Sequence, residues 1–221
     1  MVLIKFGHIN TRSLIGKFDV FKRMRGNHFD VICVNETWCD NSIYDSELHL
    51  PGYNLLRRDR NREGGGVALY INDTFNFKRR DDLCDSNVEC IWAEIIPPYM
   101  CTMLVCAVYN PNGKDTAFPN KLSTMLSTAS DSDNEIILFG DFNCDFSCNV
   151  NAKVVNDLKF VCDMHSFSQL IDMPTRVTAD SSTIIDLFFT TKPELFTRHG
   201  VIQTSISDHF MIYGIRKSKP R

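Results

Sequence analysis

The amino-acid sequence predicts mixed β-sheets covered by helices, in an α/β or α+β sandwich. Three observations lead to this class: short apolar runs outnumber segments with helical periodicity, helical segments interrupt runs of strands, and polar residues recur where strands end. The chain has 221 residues, of which 43% are hydrophobic and 23% are charged. This length and composition are typical of one well-filled globular domain, which we expect to span residues 1–221.

Strands are predicted where apolar runs of suitable length are bounded by turn residues. In chain order these runs are 2–9, 30–34, 67–71, 88–96, 103–109, 136–140, 184–189, 201–205 and 210–215. The segment 39–63 and the Thr- and Ser-rich segment 174–183 have the composition of loops. The strands therefore outnumber the helices, and we expect them to form mixed sheets that helices cover.

Helices are predicted at three places. Thr11 or Ser13 offers an N-cap for the first helix, and Pro119 is a good first-turn residue for the second. The apolar residues at helical spacing are Leu14, Phe18 and Phe21 in the first helix, Leu122, Met125, Leu126 and Ala129 in the second, and Val154, Leu158 and Val161 in the third. Each helix is expected to bury this face against a sheet.

The strand at 136–140 opens into a polar pair at its end. Gly140 stops the apolar run, and Asp141 and Asn143 follow it. In an extended segment, residues two apart point to the same side, so these two side chains are predicted to face one substrate together. Strand ends of this kind are where α/β proteins tend to place their chemistry.

Four carboxylates stand at or beside apolar strands: Glu36, Asp141, Asp186 and Asp208. A buried charge is costly without a partner, so carboxylates at these positions indicate a function. Oxygen ligands without a cage of cysteines and histidines favour Mg²⁺ or Mn²⁺. Glu36, with Asn10 nearby, is the predicted metal site.

His209 is predicted to act as a general base or as an electrostatic partner. A neighbouring carboxylate holds a histidine in one tautomer and stabilises its protonated form. Asp186 and Asp208 are the two candidates for this carboxylate. Adjacent side chains on an extended segment point to opposite sides, so Asp186 is favoured, and Asp208 is left for the metal or the water.

Taken singly, these residues have structural explanations. Asn10 suits a cap or turn, Tyr109 suits the edge of a core, and Asp186 suits an ion pair with an arginine. The order of the whole set carries more weight. The motifs are Asn10-Thr-Arg-Ser, Asn35-Glu36-Thr-Trp38, Val108-Tyr109-Asn-Pro, Gly140-Asp141-Phe-Asn143, Ile185-Asp186-Leu-Phe and Ser207-Asp208-His209.

This ordered set resembles the endonuclease/exonuclease/phosphatase superfamily, which includes abasic-site endonucleases, deoxyribonuclease I, inositol-phosphate phosphatases and sphingomyelinases. The stretches at 57–68 and 174–186 resemble the endonuclease domain of non-LTR, LINE-type retrotransposons in particular. The resemblance covers nearly the whole chain, from Asn10 to Ile215. It implies a four-layer α/β sandwich, in which two mixed β-sheets pack face to face and are flanked by helices.

The resemblance also implies an activity: Mg²⁺-dependent hydrolysis of DNA phosphodiester bonds that leaves a 3′-hydroxyl. In a retrotransposon this hydroxyl primes reverse transcription at the target. By motif match, Glu36 and Asn10 hold the metal, and Asp208 assists them. These roles agree with the general physics of phosphate hydrolysis by a metal, an oriented water and positive charge.

The remaining roles follow from the same match. Asp141 orients or deprotonates the attacking water, and Asn143 positions the water or the phosphate. His209, supported by Asp186, contacts the scissile phosphate and stabilises its developing charge. Tyr109 does likewise from another side or eases departure of the leaving group. Which residue acts as the general base is left open.

The expected partner is double-stranded DNA, bound mainly through its phosphates. Residues 1–29 carry six Lys or Arg against one acid, although the whole chain has a net charge of −3. Such a basic end suits contact with a polyanion, with a solvated helix face as the alternative. Candidate DNA-binding residues are Arg57, Arg58, Arg60, Arg62, Thr178 and Ser207.

The resemblance further implies a domain of a longer polyprotein that contains a reverse transcriptase. The chain is then expected to be monomeric when isolated, to be synthesised in the cytoplasm and to act in the nucleus. No run approaches the ~18 apolar residues of a membrane span, and the N-terminus lacks the features of a signal peptide. Nine scattered cysteines, an odd number, fit a reduced compartment and a protein that is not secreted.

Two alternatives stay open. One is another enzyme of the superfamily, such as an abasic-site repair endonuclease or a phosphatase. The other is a non-catalytic module: a DNA-binding remnant or a domain stapled by zinc. For the latter, the candidate ligands are Cys144, Cys148, Cys162 and His165. Cys162 and His165 lie on an amphipathic helix, where packing in the core also explains them.

Overall fold

A computed structural model describes residues 3–24, 29–130, 134–147 and 152–217. Its helices are α1 (Phe18–Met24), α2 (Phe118–Ala129) and α3 (Lys153–Met164). Its strands are β1 (Leu3–Asn10), β2 (Val31–Asn35), β3 (Tyr53–Arg58), β4 (Val67–Asn72), β5 (Asn76–Arg79), β6 (Glu89–Ile96), β7 (Met103–Tyr109), β8 (Glu135–Asp141), β9 (Ser168–Gln169), β10 (Arg176–Val177), β11 (Ser182–Thr183), β12 (Asp186–Thr190), β13 (Phe196–Ile202) and β14 (Met211–Lys217). Among the described residues, no helix is both long and apolar enough to span a membrane.

The strands form two mixed six-stranded sheets and one short hairpin. The first sheet has the order β13-β14-β1-β2-β4-β3, and the second has the order β5-β6-β7-β8-β12-β9. In each sheet one central pair is parallel, β1 with β2 and β7 with β8, and the other pairs are antiparallel. The hairpin consists of β10 and β11.

The core lies in three layers between four layers of secondary structure. Phe6 of the first sheet meets Phe139 and Phe188 of the second edge to face, with ring centroids 6.2 and 6.0 Å apart. The outer face of the second sheet packs beneath α2 and α3, and the outer face of the first packs beneath α1. This arrangement confirms the four-layer α/β sandwich that the sequence predicts.

Several local expectations were wrong. The predicted loop at 39–63 contains β3, an edge strand whose polar composition hides its pairing with β4. The short edge strand β5 was missed, the loop at 174–183 contains the hairpin β10–β11, and β13 begins well before residue 201. Edge and hairpin strands bury one face at most, so they lack the apolar runs that mark central strands.

The predicted N-cap of the first helix was also wrong. A 3₁₀ turn at Ile15–Lys17 precedes α1, and its cap, Leu14, makes no side-chain hydrogen bond. The Thr11 hydroxyl instead donates to the carbonyls of Asn35 and Glu36, 3.4 and 3.2 Å away. Contacts with the neighbouring strand therefore take this side chain away from a local cap.

Gly140 is required where β7 and β8 run side by side. A Cβ at this position would lie 1.8 Å from the Val108 carbonyl oxygen and 3.1 Å from Asn35 Oδ1. We expect Gly140→Ala to lower the free energy of unfolding by about 3 kcal/mol, the upper part of the range for overpacking. Urea titration measures this change. Gly16→Ala is the control, because a Cβ there meets nothing within 4 Å, and equal stability of the two variants would contradict the prediction.

Candidate active site

Strand register brings the polar strand ends together at one edge of the sandwich. In the first sheet, Asn10 at the end of β1 stands beside Asn35 at the end of parallel β2. In the second sheet, Tyr109 at the end of β7 stands beside Asp141 at the end of β8, and Asp141 faces Asp186 of antiparallel β12. The two sheets pack face to face, so both sets of residues meet across the core.

The chain turns sharply where it leaves β1 and β2. Arg12, Ser13, Glu36 and Trp38 all have positive φ, at 45°, 79°, 52° and 54°. The two turns are joined by main-chain hydrogen bonds, among them Ser13 N to Glu36 O at 2.9 Å. Left-handed backbone at non-glycine residues is strained and is retained mostly at functional sites. Here it turns the Glu36 side chain toward the second sheet.

Glu36 accepts hydrogen bonds from three neutral donors. Its Oε1 accepts from the Asn10 amide and the Tyr109 hydroxyl, each at 3.0 Å, and its Oε2 accepts from the Trp38 indole at 3.1 Å. Within the described part of the chain, Glu36 forms no ion pair. Burial and the charge of Glu36 raise the pKa of Tyr109, so this phenol keeps its proton and acts as a donor.

Asn10 bridges the two sheets through its amide nitrogen. Its Nδ2 donates to Glu36 Oε1 at 3.0 Å and to Asp141 Oδ2 at 2.8 Å, while its Oδ1 accepts from the Arg12 main chain at 3.1 Å. The sequence predicted Asn10 as a metal ligand. In this arrangement its oxygen is turned away from the carboxylates, and the amide holds Glu36 and Asp141 in place.

His209 lies against the carboxylates of the second sheet. Its Nδ1 is 2.9 Å from Asp186 Oδ2 and 4.0 Å from Asp141 Oδ2, and all three side chains are buried. Burial alone would lower the pKa of His209, but the charge and hydrogen bond of Asp186 outweigh it and raise this pKa to about 9. The pKa of Asp141 is raised by its own burial and by the negative charge of Asp186.

Asn143 does not continue the extended backbone on which its predicted alignment with Asp141 depends. The strand ends at Asp141, and Asn143 has a left-handed backbone with φ of 49°. Its main-chain N–H donates to Asp141 Oδ1 at 2.9 Å, and its side-chain amide donates to the Asn110 carbonyl at 2.8 Å. The alternation argument failed because it assumed extended backbone beyond Gly140.

Asp208 is held by two arginines. Its carboxylate accepts from Arg12 at 3.2 Å and from Arg176 at 2.8 Å. Partial burial would raise its pKa, but these two guanidinium groups outweigh that effect and lower the pKa of Asp208 to about 2. The sequence left Asp208 for the metal or the water, whereas this structure gives it two cationic partners.

The arginine cluster predicted to bind DNA is largely used within the fold. Arg57 pairs with Asp45 and Asp59 at 2.7 and 2.6 Å, and Arg58 donates to main-chain carbonyls such as that of Ser86. Arg60 pairs with Glu89 at 2.8 Å and lies over the Tyr109 ring. Arg62 is exposed. These contacts correct the expectation for Arg57 and Arg58, since β3 lies beside other elements that the sequence did not place.

The two predicted hydroxyl donors have partners within the chain. Ser207 Oγ donates to the Asn10 carbonyl at 2.6 Å and accepts from the His209 main chain at 3.1 Å. Thr178 Oγ1 lies 2.8 Å from Ser181 Oγ in the exposed turn of the β10–β11 hairpin. Ser207 is therefore a structural link between the first sheet and the loop that carries His209.

Three cations at this edge were not among the predicted site residues, although Arg12 and Lys17 belong to the basic segment 1–29 that was expected to suit a polyanion. Arg12 and Arg176 are exposed by 50% and 36%, and Lys17 donates to the carbonyls of Thr11 and Arg12 at 2.6 and 2.9 Å. Arg12 and Arg176 stand inside the motifs Asn10-Thr-Arg-Ser and Pro174-Thr-Arg-Val. This position inside the site motifs was the signal in the sequence that could have identified Arg12 and Arg176 as site residues, because a cation inside a site motif is a better candidate than one in a distant cluster.

The oxygen ligands that Glu36 offers suit a hard divalent cation. Its carboxylate has oxygen lone pairs, neutral neighbours and partial exposure, and Mg²⁺ needs only one or two such carboxylates. Asp141, Asp186 and His209 also place one potential ligand atom each within 4.8 Å of one another. His209 Nδ1 is already hydrogen-bonded to Asp186 Oδ2 at 2.9 Å, and a hard cation prefers oxygen ligands to nitrogen, so Glu36 is the better place for the metal.

The zinc alternative gains no support from the described residues. Cys144 and Cys162 pack in the apolar core between the second sheet and the helices α2 and α3. His165 Nε2 lies 3.4 Å from Ser123 Oγ. Cys148, like Arg25 in the basic N-terminal segment, lies outside the described residues. Within the described ranges, the group with metal-holding geometry is the one formed by Asp141, Asp186 and His209.

Comparison with known proteins identifies the family and the fold. A family model described as endonuclease-reverse transcriptase matches residues 103–213. The endonuclease domain of TRAS1, a telomere-specific non-LTR retrotransposon, superposes with a TM-score of 0.76 at 11% identity, over 98% of this chain and 99% of that chain. No curated protein matches the chain significantly.

Repair and exonuclease structures have the same fold. An AP endonuclease from Archaeoglobus fulgidus superposes with a TM-score of 0.76 at 16% identity, over 96% of this chain and 99% of that chain. The 3′-5′ exonuclease NExo from Neisseria meningitidis gives a TM-score of 0.77 at 13% identity, over 97% of this chain and all of that chain (100%).

The four-layer sandwich and the residues at its edge define the class of nucleases and phosphodiesterases. Within that class, the matching model spans half of the chain. The chain therefore belongs to the endonuclease-reverse transcriptase family of endonuclease/exonuclease/phosphatase proteins.

Proposed function

We propose that the protein is a Mg²⁺-dependent DNA endonuclease that nicks target DNA and leaves a 3′-hydroxyl, which primes reverse transcription of a non-LTR retrotransposon. The observation that carries the proposal is the meeting of Glu36, Asp141, Asp186 and His209 at one edge of the sandwich. These groups combine a carboxylate open to a cation, a buried carboxylate and a protonated histidine. Phosphodiester hydrolysis requires a combination of this kind.

The proposed mechanism assigns each residue a role consistent with its contacts. Asp141, held by Asn10 and by the Asn143 main chain, orients the attacking water and accepts its proton. Its raised pKa suits a group that takes a proton near neutral pH. His209, kept protonated by Asp186, places positive charge beside the scissile phosphate as negative charge develops there.

The metal would be held by Glu36. When bound, Mg²⁺ supplies Lewis-acid stabilisation of phosphate oxygens, and Mn²⁺ is the expected substitute. Tyr109 and Trp38 keep Glu36 oriented, and the single proton of the Tyr109 hydroxyl would pass to a phosphate oxygen only by leaving Glu36. Asn10 and Asp208 would become ligands only after exchanging their present partners.

A plasmid assay tests this function. Wild-type protein is expected to convert supercoiled DNA to open circles with Mg²⁺ and not with EDTA, while His209→Ala leaves the plasmid supercoiled. Similar nicking by both proteins, or nicking in EDTA, would overturn the proposal. Intact and abasic duplexes are compared in the same assay, because strong preference for the abasic duplex would favour the repair endonuclease.

The three cations at the site are proposed to bind DNA phosphates. Arg176→Ala and Arg12→Ala are each expected to weaken binding of a catalytically inactive protein to duplex DNA. Each change should also reduce the slope of log K against log salt by about one, because one phosphate contact is lost. Fluorescence anisotropy at several salt concentrations measures both effects.

Arg198→Ala is the matched control for these two variants. Arg198 is exposed on β13 at the level of Ile215, well below the strand ends that form the site. The substitution removes the same charge, so its salt slope is expected to match that of the unsubstituted protein. Equal slopes for all three variants would argue against Arg12 and Arg176 as phosphate ligands.

The wider context follows from the same proposal. We infer that the domain acts on double-stranded DNA as a monomer and is joined to a reverse transcriptase in a polyprotein. Synthesis in the cytoplasm and action in the nucleus follow from that role. Mass spectrometry of the native translation product tests the polyprotein, and light scattering of the isolated domain tests the monomer.

A further inference from the structure

A second histidine is buried behind the site. His8 lies on β1, has no solvent exposure, and carries no role in the mechanism above. Its Nε2 is 2.8 Å from the side-chain oxygen of Asn35, which is also fully buried. The same Asn35 oxygen accepts the main-chain N–H of Asp141 at 2.7 Å. One amide oxygen thus joins β1 and β2 of the first sheet to β8 of the second.

The hydrogen-bond pattern determines that Nε2 of His8 carries a proton. A main-chain N–H only donates, so the Asn35 atom that faces Asp141 must be the oxygen. His8 must therefore donate to that oxygen through a protonated Nε2. The other ring nitrogen, Nδ1, has no hydrogen-bond partner and lies 3.6 Å from Asp186 Oδ1.

The arrangement is poor for stability alone. His8 Nδ1 faces the Asp186 carboxylate without a hydrogen bond, and the Asn35 side-chain nitrogen is also buried without a partner. Each unsatisfied buried polar group is destabilising, because it has lost its hydrogen bonds to water without replacing them. Such costs are retained where function requires a particular geometry. Here two groups must be held in place: the main chain at Asp141 and the Asp186 carboxylate that is hydrogen-bonded to His209.

We propose that His8 and Asn35 are positioning residues for the active site. Asn35 anchors the end of β8 by accepting the main-chain N–H of Asp141, and His8 orients the Asn35 amide. The His8 ring also lies against the Asp186 carboxylate, to which His209 is hydrogen-bonded. Neither residue touches the substrate. Their catalytic effect rests on the proposed nuclease function, whereas their hydrogen bonds are independent of it.

Two amide variants separate the donor from the ring. In His8→Gln the side-chain nitrogen replaces Nε2 and donates to Asn35, whereas in His8→Asn the shorter amide ends near Nδ1 and leaves Asn35 unbound. We expect His8→Asn to lower kcat for nicking about tenfold to a hundredfold, as for other outer residues that orient a site. KM should stay unchanged, and His8→Gln should restore most of the rate.

NMR without DNA or metal tests the hydrogen bonds directly. The wild-type His8 ring is expected to show a protonated Nε2, and the Asp141 amide proton should exchange slowly. Rapid exchange of that proton is expected in His8→Asn and not in His8→Gln. The wild-type spectrum needs no variant to fold.

Each contrary result has one meaning. An unprotonated Nε2 in wild type, or a wild-type kcat in His8→Asn, would overturn the positioning role. Equal loss of rate in both variants would also overturn it, because the donor to Asn35 would then be irrelevant. An inactive wild type would instead overturn the proposed function, while the spectrum would still decide the hydrogen bonds.

Discussion

Asp141→Asn is expected to lower the single-turnover rate of plasmid nicking by about a thousandfold, within the range for loss of a general base. The carboxylate accepts hydrogen bonds from Asn10 and from the Asn143 main chain at 2.8 and 2.9 Å. An amide keeps the shape of the side chain, but it cannot accept a proton from water. Single-turnover kinetics with excess protein measure the step without interference from product release.

The stability of Asp141→Asn is expected to show that its loss of activity does not come from misfolding. Burial and the charge of Asp186 make an ionised Asp141 unfavourable, so the neutral amide relieves that cost while losing one acceptor. The free energy of unfolding should therefore change by about 1 kcal/mol or less. Asp163→Asn, exposed on α3, removes the same charge far from the edge and should nick normally. Substantial nicking by Asp141→Asn would remove Asp141 from the mechanism.

His209→Ala is expected to lower the nicking rate by about a hundredfold to a thousandfold, the cost of losing one preorganised donor to a developing oxyanion. Asp186 raises the pKa of His209 to about 9 against the effect of burial, so the ring is positively charged at neutral pH. The wild-type rate should fall as pH rises through about 9, because the charge is then lost. This alkaline limb should be absent from the residual activity of His209→Ala.

The same ion pair makes stability depend on pH. The folded pKa of His209, about 9, lies above the ordinary value of 6.5. Stabilisation by the pair is therefore complete below pH 6.5 and is lost as pH rises through about 9. Urea unfolding on both sides of this window should show a larger decline for wild type than for His209→Ala. His199→Ala, at an exposed position on β13, is the control. The assignment would be contradicted if the stability of His209→Ala declined with pH as much as that of wild type.

Much of the site was readable because it follows central strands. Asp141 and Tyr109 end long apolar runs, and their side-by-side placement follows from parallel pairing of β7 and β8. Strand alternation also favoured Asp186 over Asp208 as the partner of His209, and the structure places Asp186 Oδ2 2.9 Å from its ring. Periodicity and strand ends are local properties, so a single sequence carries them.

The errors arose where the backbone leaves regular structure. Asn143 has left-handed backbone, to which the rule of alternation does not apply. Arg57 has no evident partner in the sequence, but in the fold its guanidinium group forms ion pairs with Asp45 and Asp59. Asp208 is held by Arg12 and Arg176, which are far from each other along the chain.

The sequence by itself determined the sandwich class, the central strands and the identity of the carboxylates and histidine at their ends, because apolar periodicity and motif order are written along the chain. Only the tertiary structure decided which charges remain available. Ion pairs such as Arg176 with Asp208 and the link from His8 through Asn35 to Asp141 join residues distant in sequence. Their strength depends on distance and burial, which exist only once the two sheets have packed together.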